Sequence, residues 1–364
     1  MPHNIEGKAT RQLHDLGQSL WLDNITRTIL DDGTLERYIA ESSVTGLTSN
    51  PTIFDHAFKS GDAYDPAIRR ESAAGKSGEP LFFELAIEDL RRAADLFRPV
   101  HDGTHGVDGW VSLEVSPLLA NDTAGTIAAA AELHRQANRP NLFIKIPGTA
   151  EGVAAIEESI FAGVAVNVTL LFSAAQYLAA AEAYMRGIER RIAAGRDPRV
   201  GSVASIFVSR WDVAVRDTVP PALRNRLGIA IAKRAYREYR GVLASPRWRA
   251  LEAAGAQPQR LLWASTSTKD PSAPDTLYVQ ALAAPDTINT IPEKTLVAFA
   301  DHGQVSGVLA MDGGDAEDVL AEFTRAGVND ATLAAQLQRE GAASFDASWK
   351  DLLDGLAAKR ATLM

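Results

Sequence analysis

Asn141-Leu142-Phe143-Ile144-Lys145-Ile146-Pro147-Gly148 is a run of β-branched and aromatic residues that stops at a Pro-Gly pair. That is the pattern of a short strand closing in a turn. Side chains alternate along a strand, so Leu142, Ile144 and Ile146 share one face and Phe143 and Lys145 the other. A lysine in so apolar a strand is costly to bury unless its charge is answered. It is either an edge-strand lysine that keeps the edge soluble, or a desolvated amine held ready to attack a carbonyl. The rest of the chain decides between these.

Working outward, strand patterns recur at 19–23, 44–51, 109–117, 164–170, 202–209, 260–265 and 286–291. Helical patterns lie between them, at 9–17, 26–39, 51–59, 81–97, 122–138, 151–161, 174–195 and about 221–244. Alternating strands and helices of this kind predict an α/β fold whose parallel sheet closes into a (β/α)8 TIM barrel. Such a barrel takes roughly 250 residues. The surplus falls in a helical insertion at about 52–108, after the second strand, and a helical C-terminal extension at about 316–364. No linker interrupts the pattern, so residues 1–364 are expected to form a single domain.

Composition removes several function classes. The net charge of -9 makes a nucleic-acid-binding surface unexpected, though a local basic pocket could still take an anionic metabolite. The chain has no cysteine, which excludes disulfides, thiolate catalysis, iron–sulfur clusters and Cys-ligated zinc. Met1 to Lys8 is polar, with Asn4 and Glu6, and does not read as a signal peptide. No apolar run is long enough to span a bilayer, so a cytoplasmic protein with no membrane partner is expected. The Asn-x-Thr triplets at Asn24, Asn121 and Asn167 are then not glycosylation sites. Gly75-Lys76-Ser77 has the tail of a phosphate loop, but Arg70 stands where its first glycine belongs, so a surface loop is expected. His101 and His105 are placed in a loop by Gly103 and Gly106, and no metal site is expected. Trp110, Trp211, Trp248 and Trp349 read as packing residues.

In a barrel each strand has an inner and an outer face. The outer sets are aliphatic: Leu20/Leu22, Val111/Leu113/Val115, Leu142/Ile144/Ile146, Val164/Val166/Val168 and Ala204/Ile206/Val208. The opposite sets, near the strand C-termini, hold Asp23, Thr48, Asn50, Glu114, Lys145, Asn167, Thr169 and Ser205. Active sites of this architecture form at that end. One amine, two carboxylates and two carboxamides suit imine chemistry: the amine attacks a ketone, the carboxylates take separate proton transfers, and the amides hold hydroxyls. A salt-bridged barrel interior is the structural alternative, and buried ion pairs are weak stability devices.

The segments WLDNI (21–25), TGLTSNPTIF (45–54), VSLEVSP (111–117), FIKIPGT (143–149), NVTLLFS (167–173), SIFVSRWD (205–212) and NTIPEKTL (289–296) together resemble the transaldolase family, in its order. The length resembles its longer, bacterial-type members. The resemblance implies that Lys145 is the Schiff-base lysine and that Asp23 removes the proton from the C4 hydroxyl. Glu114 would work through a water held by Thr169. Asn50 and Asn167 would hold the dihydroxyacetone fragment, Thr48 and Ser205 line the same pocket, Phe207 packs beside the imine, and Arg210 binds phosphate. It further implies sugar-phosphate substrates and no cofactor or metal.

One departure stands out. Much of the family carries a second phosphate arginine after the seventh strand, and here that stretch reads Trp263-Ala264-Ser265-Thr266-Ser267-Thr268-Lys269. Ser265, Ser267 and Lys269 are expected to share the phosphate. A fructose-6-phosphate aldolase-like enzyme that releases free dihydroxyacetone, and a non-catalytic sugar-phosphate-binding barrel, are the rival readings. The C-terminal helices could form a lid over the barrel mouth or dock on its outer helices. Oligomeric state is not legible.

Overall fold

Aliphatic residues on one face of each strand need a layer of helices to cover them, and the chain meets that need by closing its sheet. A computed structural model describes residues 8–364. Residues 1–7, most of the polar N-terminal stretch read above, lie outside the described residues. Eight parallel strands follow in order: β1 (Gln18–Asp23), β2 (Val44–Thr48), β3 (Val111–Glu114), β4 (Leu142–Pro147), β5 (Val166–Leu171), β6 (Ser202–Phe207), β7 (Arg260–Ala264) and β8 (Thr287–Ile291). Each pairs with the next and β8 pairs with β1, so the barrel has no free edge. The outer aliphatic sets are buried beneath the surrounding helices, as the alternation predicts.

The barrel interior is layered. Its floor is apolar: Phe143 stacks on Trp110, with ring centroids 4.0 Å apart, and lies 6.1 Å from Trp21. Val203, Leu262 and Ile288 complete the plug. The Trp21 indole lies so close to β2 that a Cβ on Gly46 would come within 2.5 Å of its Nε1, so only glycine fits there. Beneath the plug, Asp108 accepts hydrogen bonds from Ser19 and from Trp21 Nε1, the latter at 2.7 Å. The polar residues stand above this floor, at the strand C-termini.

Several boundaries differ from the sequence reading. The stretch 26–39 is two helices, Arg27–Asp31 and Thr34–Glu41, because Gly33 adopts a left-handed conformation (φ 72°) between them. The insertion holds three helices rather than two. Asp65–Ala73 lies between Pro51–Lys59 and Gly78–Gly103, with Pro66 in its first turn, where a proline costs nothing. Helix Gly78–Gly103 runs past Pro99, so His101 is helical and not in a loop. Its last turn packs on the start of β3, where a Cβ on Gly109 would meet the His101 backbone nitrogen at 2.3 Å. The helix near 221–244 begins only at Leu227, after a short turn of 3-10 helix at Pro221–Leu223. β5 carries a bulge, with its register broken between Val168 and Leu171 and Leu170 at φ 58°. Gly75-Lys76-Ser77 sits at the surface, and Lys76 is paired with Glu71 and Glu84 at 2.8 and 2.7 Å.

The insertion is pinned to the barrel by a buried pair, Arg27 Nη2 to Asp89 Oδ1 at 2.8 Å. The tail forms helices Ala316–Arg325 and Asp330–Leu363. The second, 34 residues long, combines both expected placements. Gln338 donates to Gly148 O and Leu170 O at the barrel mouth, at 2.8 and 3.0 Å. Further along, Trp349 packs edge-on against Phe82 of the insertion, and Lys359 donates to Phe58 O and pairs with Asp65. Among the described residues, no helix is long and apolar enough to cross a membrane.

Candidate active site

Strand register brings the polar residues to one level. Asp23 lies opposite Thr48, Glu114 opposite Lys145, Lys145 opposite Asn167, and Pro147 opposite Thr169. Lys145 is therefore no edge residue. β4 is flanked on both sides, and the ammonium points into the barrel, donating to Glu114 Oε2 at 3.1 Å and to Ser49 O at 2.9 Å. Both side chains of this pair are more than nine-tenths buried.

The two carboxylates occupy different settings. Burial raises the Glu114 carboxyl above its ordinary range, with Lys145 pulling the other way and Asp23 adding to the rise. Burial also raises Asp23, opposed by the Thr48 hydroxyl and the charges of Lys145 and Lys269. Thr48 Oγ1 donates to Asp23 Oδ1 at 2.7 Å and lies 2.6 Å from Thr290 Oγ1. Its single proton goes to Asp23, so Thr290 is the donor in the second contact. Asn167 is fully buried, donating to Ser112 Oγ at 3.1 Å and accepting from Ser205 Oγ at 2.8 Å. Asn50 caps helix Pro51–Lys59 through its side-chain oxygen. Thr169 Oγ1 is buried without a hydrogen-bond partner among the described residues.

A cavity of about 230 Å³ opens over this layer, lined by Asp23, Thr48, Asn50, Lys145, Thr169, Ser205, Phe207, Arg210, Ser265, Ser267 and Lys269. Glu114 and Asn167 are not on its wall; they lie behind it, bonded to Lys145 and Ser205. Seven lining residues were not among the expected site residues, Ile53, Ala264 and Pro292 among them. Thr290 follows from β8 alternation within the NTIPEKTL segment and Thr52 lies in the TGLTSNPTIF segment, whereas His56 and Phe345 come from helices with no local signal.

At the outer end, Arg210 occupies the first turn of helix Ser209–Val215. Its guanidinium carbon lies 5.1 Å from the Phe207 ring and 5.8 Å from the Phe345 ring. No hydrogen bond or ion pair joins it to another described residue. Ser265 Oγ lies 2.9 Å from Ser209 Oγ, and Lys269 donates to Ser267 Oγ at 2.6 Å. The Arg210 helix is anchored by Asp212, which accepts from Leu227 N at 2.9 Å, Gly228 N at 3.2 Å and Tyr278 Oη at 2.9 Å. Burial pushes the Asp212 carboxyl up to about 6.

A larger cavity, about 540 Å³, lies at the opposite end of the barrel. Its charges are already answered: Arg240 pairs with Asp286 at 2.6 Å, Arg249 with Glu252 at 3.2 Å, and Arg260 donates to Ser19 and Thr287 O. The free guanidinium and the buried amine are at the other mouth. Among the described residues, no group of three or more His, Asp or Glu side chains converges as a metal site would require.

A (β/α)8 barrel with an amine–carboxylate pair, a second carboxylate and an unpaired guanidinium at its C-terminal mouth has the layout of a lysine-dependent barrel enzyme. The chain belongs to the transaldolase/fructose-6-phosphate aldolase family: the family's sequence model matches residues 20–356. A protein named transaldolase from Arthrobacter sp. (strain FB24) is 46% identical over 353 residues, covering 94% of this chain and 95% of that protein. One of the same name from Thermobifida fusca (strain YX) is 46% identical over 362 residues, 96% and 98% of the two chains. Another, from Thiobacillus denitrificans, is 45% identical over 352 residues, 94% and 98%.

Proposed function

We propose that the protein transfers a dihydroxyacetone unit from a ketose phosphate, sedoheptulose 7-phosphate or fructose 6-phosphate, to an aldose phosphate. The observation that carries this reading is the buried Lys145–Glu114 contact of 3.1 Å, set inside the barrel mouth. Lys145 adds to the donor's C2 carbonyl to give a carbinolamine, and loss of water leaves an imine. Glu114 moves the protons of that step through a water held by Thr169, whose buried hydroxyl has no hydrogen-bond partner among the described residues to compete for it. Asp23 then takes the C4 hydroxyl proton, the C3–C4 bond breaks, and its electron pair is stored as the enamine. The aldose phosphate leaves. Glyceraldehyde 3-phosphate or erythrose 4-phosphate enters, the enamine attacks its aldehyde carbon, Asp23 returns the proton, and water releases the new ketose.

Thr48, Asn50, Asn167 and Ser205 hold the dihydroxyacetone hydroxyls, Asn167 through Ser205, and Phe207 packs beside the imine. Arg210, with Ser265, Ser267 and Lys269, receives the substrate phosphate; an unpaired guanidinium fork suits a phosphate dianion. Every step is proton transfer and carbonyl addition, so the cycle calls on no cofactor. We further propose that the whole chain works as one domain in the cytoplasm, where its sugar-phosphate substrates are found.

Borohydride reduction in the presence of fructose 6-phosphate tests the reading. Mass spectrometry should locate a reduced three-carbon adduct on Lys145, and sugar product should appear only when erythrose 4-phosphate is added. Free dihydroxyacetone formed without an acceptor would favour the aldolase, against which the Glu114 contact argues. No adduct at all would favour a non-catalytic binder.

A further inference from the structure

Arg210 carries the phosphate in the reading above, and the barrel itself gives its guanidinium the face of Phe207, 5.1 Å away, and no polar partner among the described residues. A second restraint comes from the far end of the chain. On helix Asp330–Leu363, Gln338, Gly341 and Phe345 fall at spacings of three and four, which puts them on one face. That face lies over the barrel mouth. Gln338 grips the Gly148 and Leu170 carbonyls. Gly341 is so close that a Cβ there would lie 3.0 Å from Leu170 Cδ2 and 3.1 Å from Arg210 Nη1. Phe345 is buried against the cavity, and its ring and that of Phe207 are the two aromatic faces beside the guanidinium. Thr52 Oγ1, donating to Ser348 Oγ at 2.9 Å, holds the next turn of the helix to the mouth.

We infer that Phe345, with the glycine gap at Gly341, is a positioning and specificity-determining element: the C-terminal helix confines the Arg210 guanidinium so that the pocket selects phosphorylated over unphosphorylated sugars. This rests on the assignment of Arg210 to the substrate phosphate. A long, unpaired side chain loses conformational freedom when it engages an anion, and that loss weakens binding. Two ring faces and a close backbone restrict the side chain beforehand, and the rings favour the cation electrostatically. Phe345 makes no ring or polar contact with the Lys145 amine or with the Asp23 and Glu114 carboxylates, so its effect should follow the phosphate and not the chemistry.

The test compares Phe345→Ala, Phe345→Leu and Phe345→Tyr with the unaltered enzyme. Inorganic phosphate binding is followed by calorimetry, and KM is measured for erythrose 4-phosphate and for unphosphorylated D-glyceraldehyde. In Phe345→Ala, phosphate binding should weaken about tenfold and KM for erythrose 4-phosphate rise by a similar factor. KM for D-glyceraldehyde should move less than about twofold, and Phe345→Tyr should restore both phosphate readouts. Phe345→Leu keeps the apolar bulk that folding needs but lacks the ring, so it should behave as Phe345→Ala. The inference is overturned if phosphate binding in both ring-less variants matches the unaltered enzyme, or if the two KM values rise together. The phosphate measurement needs no turnover. A missing Lys145 adduct would therefore sink the catalytic reading while leaving this inference to its own result.

Discussion

Replacing Thr48 by valine removes one hydroxyl from the cavity at nearly constant volume. In the native protein Thr290 donates to Thr48, and Thr48 donates to Asp23 Oδ1 at 2.7 Å, a relay that ends on the charged form of the carboxylate. A hydrogen bond to a charged group is worth about 1.5–3 kcal/mol, and about 1.4 kcal/mol corresponds to one pH unit. Burial already holds Asp23 above the ordinary carboxylate range, and Thr48 is the largest effect opposing it. Thr48→Val should therefore raise the Asp23 carboxyl by a further one to two pH units, roughly. If Asp23 must be ionised to take the C4 hydroxyl proton, the acid limb of kcat/KM moves up by the same amount, while the alkaline plateau falls much less. The assay is fructose 6-phosphate turnover with erythrose 4-phosphate from about pH 4 to about pH 9. Stability should change in the matching sense. A raised Asp favours the folded state when protonated, so its contribution is present below the unfolded value and is lost as pH rises through the folded one. The variant extends that window upward and should lose about 1.5–3 kcal/mol more than the native protein on going from acid to neutral pH, read by urea unfolding. An acid limb that stays put, or shifts downward, would refute the reasoning.

Three other perturbations probe contacts elsewhere in the molecule. Arg27→Met strands the fully buried Asp89 carboxylate without its partner and should destabilise the protein by about 3–5 kcal/mol in denaturant unfolding at neutral pH. The loss should shrink in acid, because burial already raises Asp89 and protonation removes the unpaired charge. Gly46→Ala drives a methyl toward the Trp21 indole and should cost about 1–3 kcal/mol, with a changed tryptophan fluorescence spectrum. Lys269→Ala should raise KM for sugar phosphates several-fold with little effect on thermal stability, since the ammonium's hydrogen bond is to Ser267 at the surface; an unchanged KM would leave the phosphate to Arg210 and the serines.

Much of the site was legible because a barrel strand has a period of two. Asp23, Thr48, Glu114, Lys145, Thr169 and Ser205 each stand opposite an aliphatic face, and the aliphatics must go outward to meet the helices. Once closure is assumed, these residues have one place to go. That the stretch after β7, Ser265 to Lys269, holds no arginine is read directly from the chain. Other features had no such marker. Helix Asp65–Ala73 was hidden in a polar stretch whose helicity depends on packing against the rest of the insertion. The bulge at Leu170 places a branched residue at φ 58°, a conformation that tertiary contacts impose and propensity opposes.

What the sequence alone determined was therefore everything set by neighbours along the chain: the strands, their inner and outer faces, the lysine and its order among the carboxylates. Tertiary structure decided what depends on distant partners. It chose which carboxylate reaches Lys145, made a relay of Thr48 and Thr290, and carried Phe345 to Arg210 from another part of the chain. The physical reason is that alternation is a local steric consequence of the pleat, whereas a contact between distant residues exists only after the barrel has closed and the last helix has crossed its mouth.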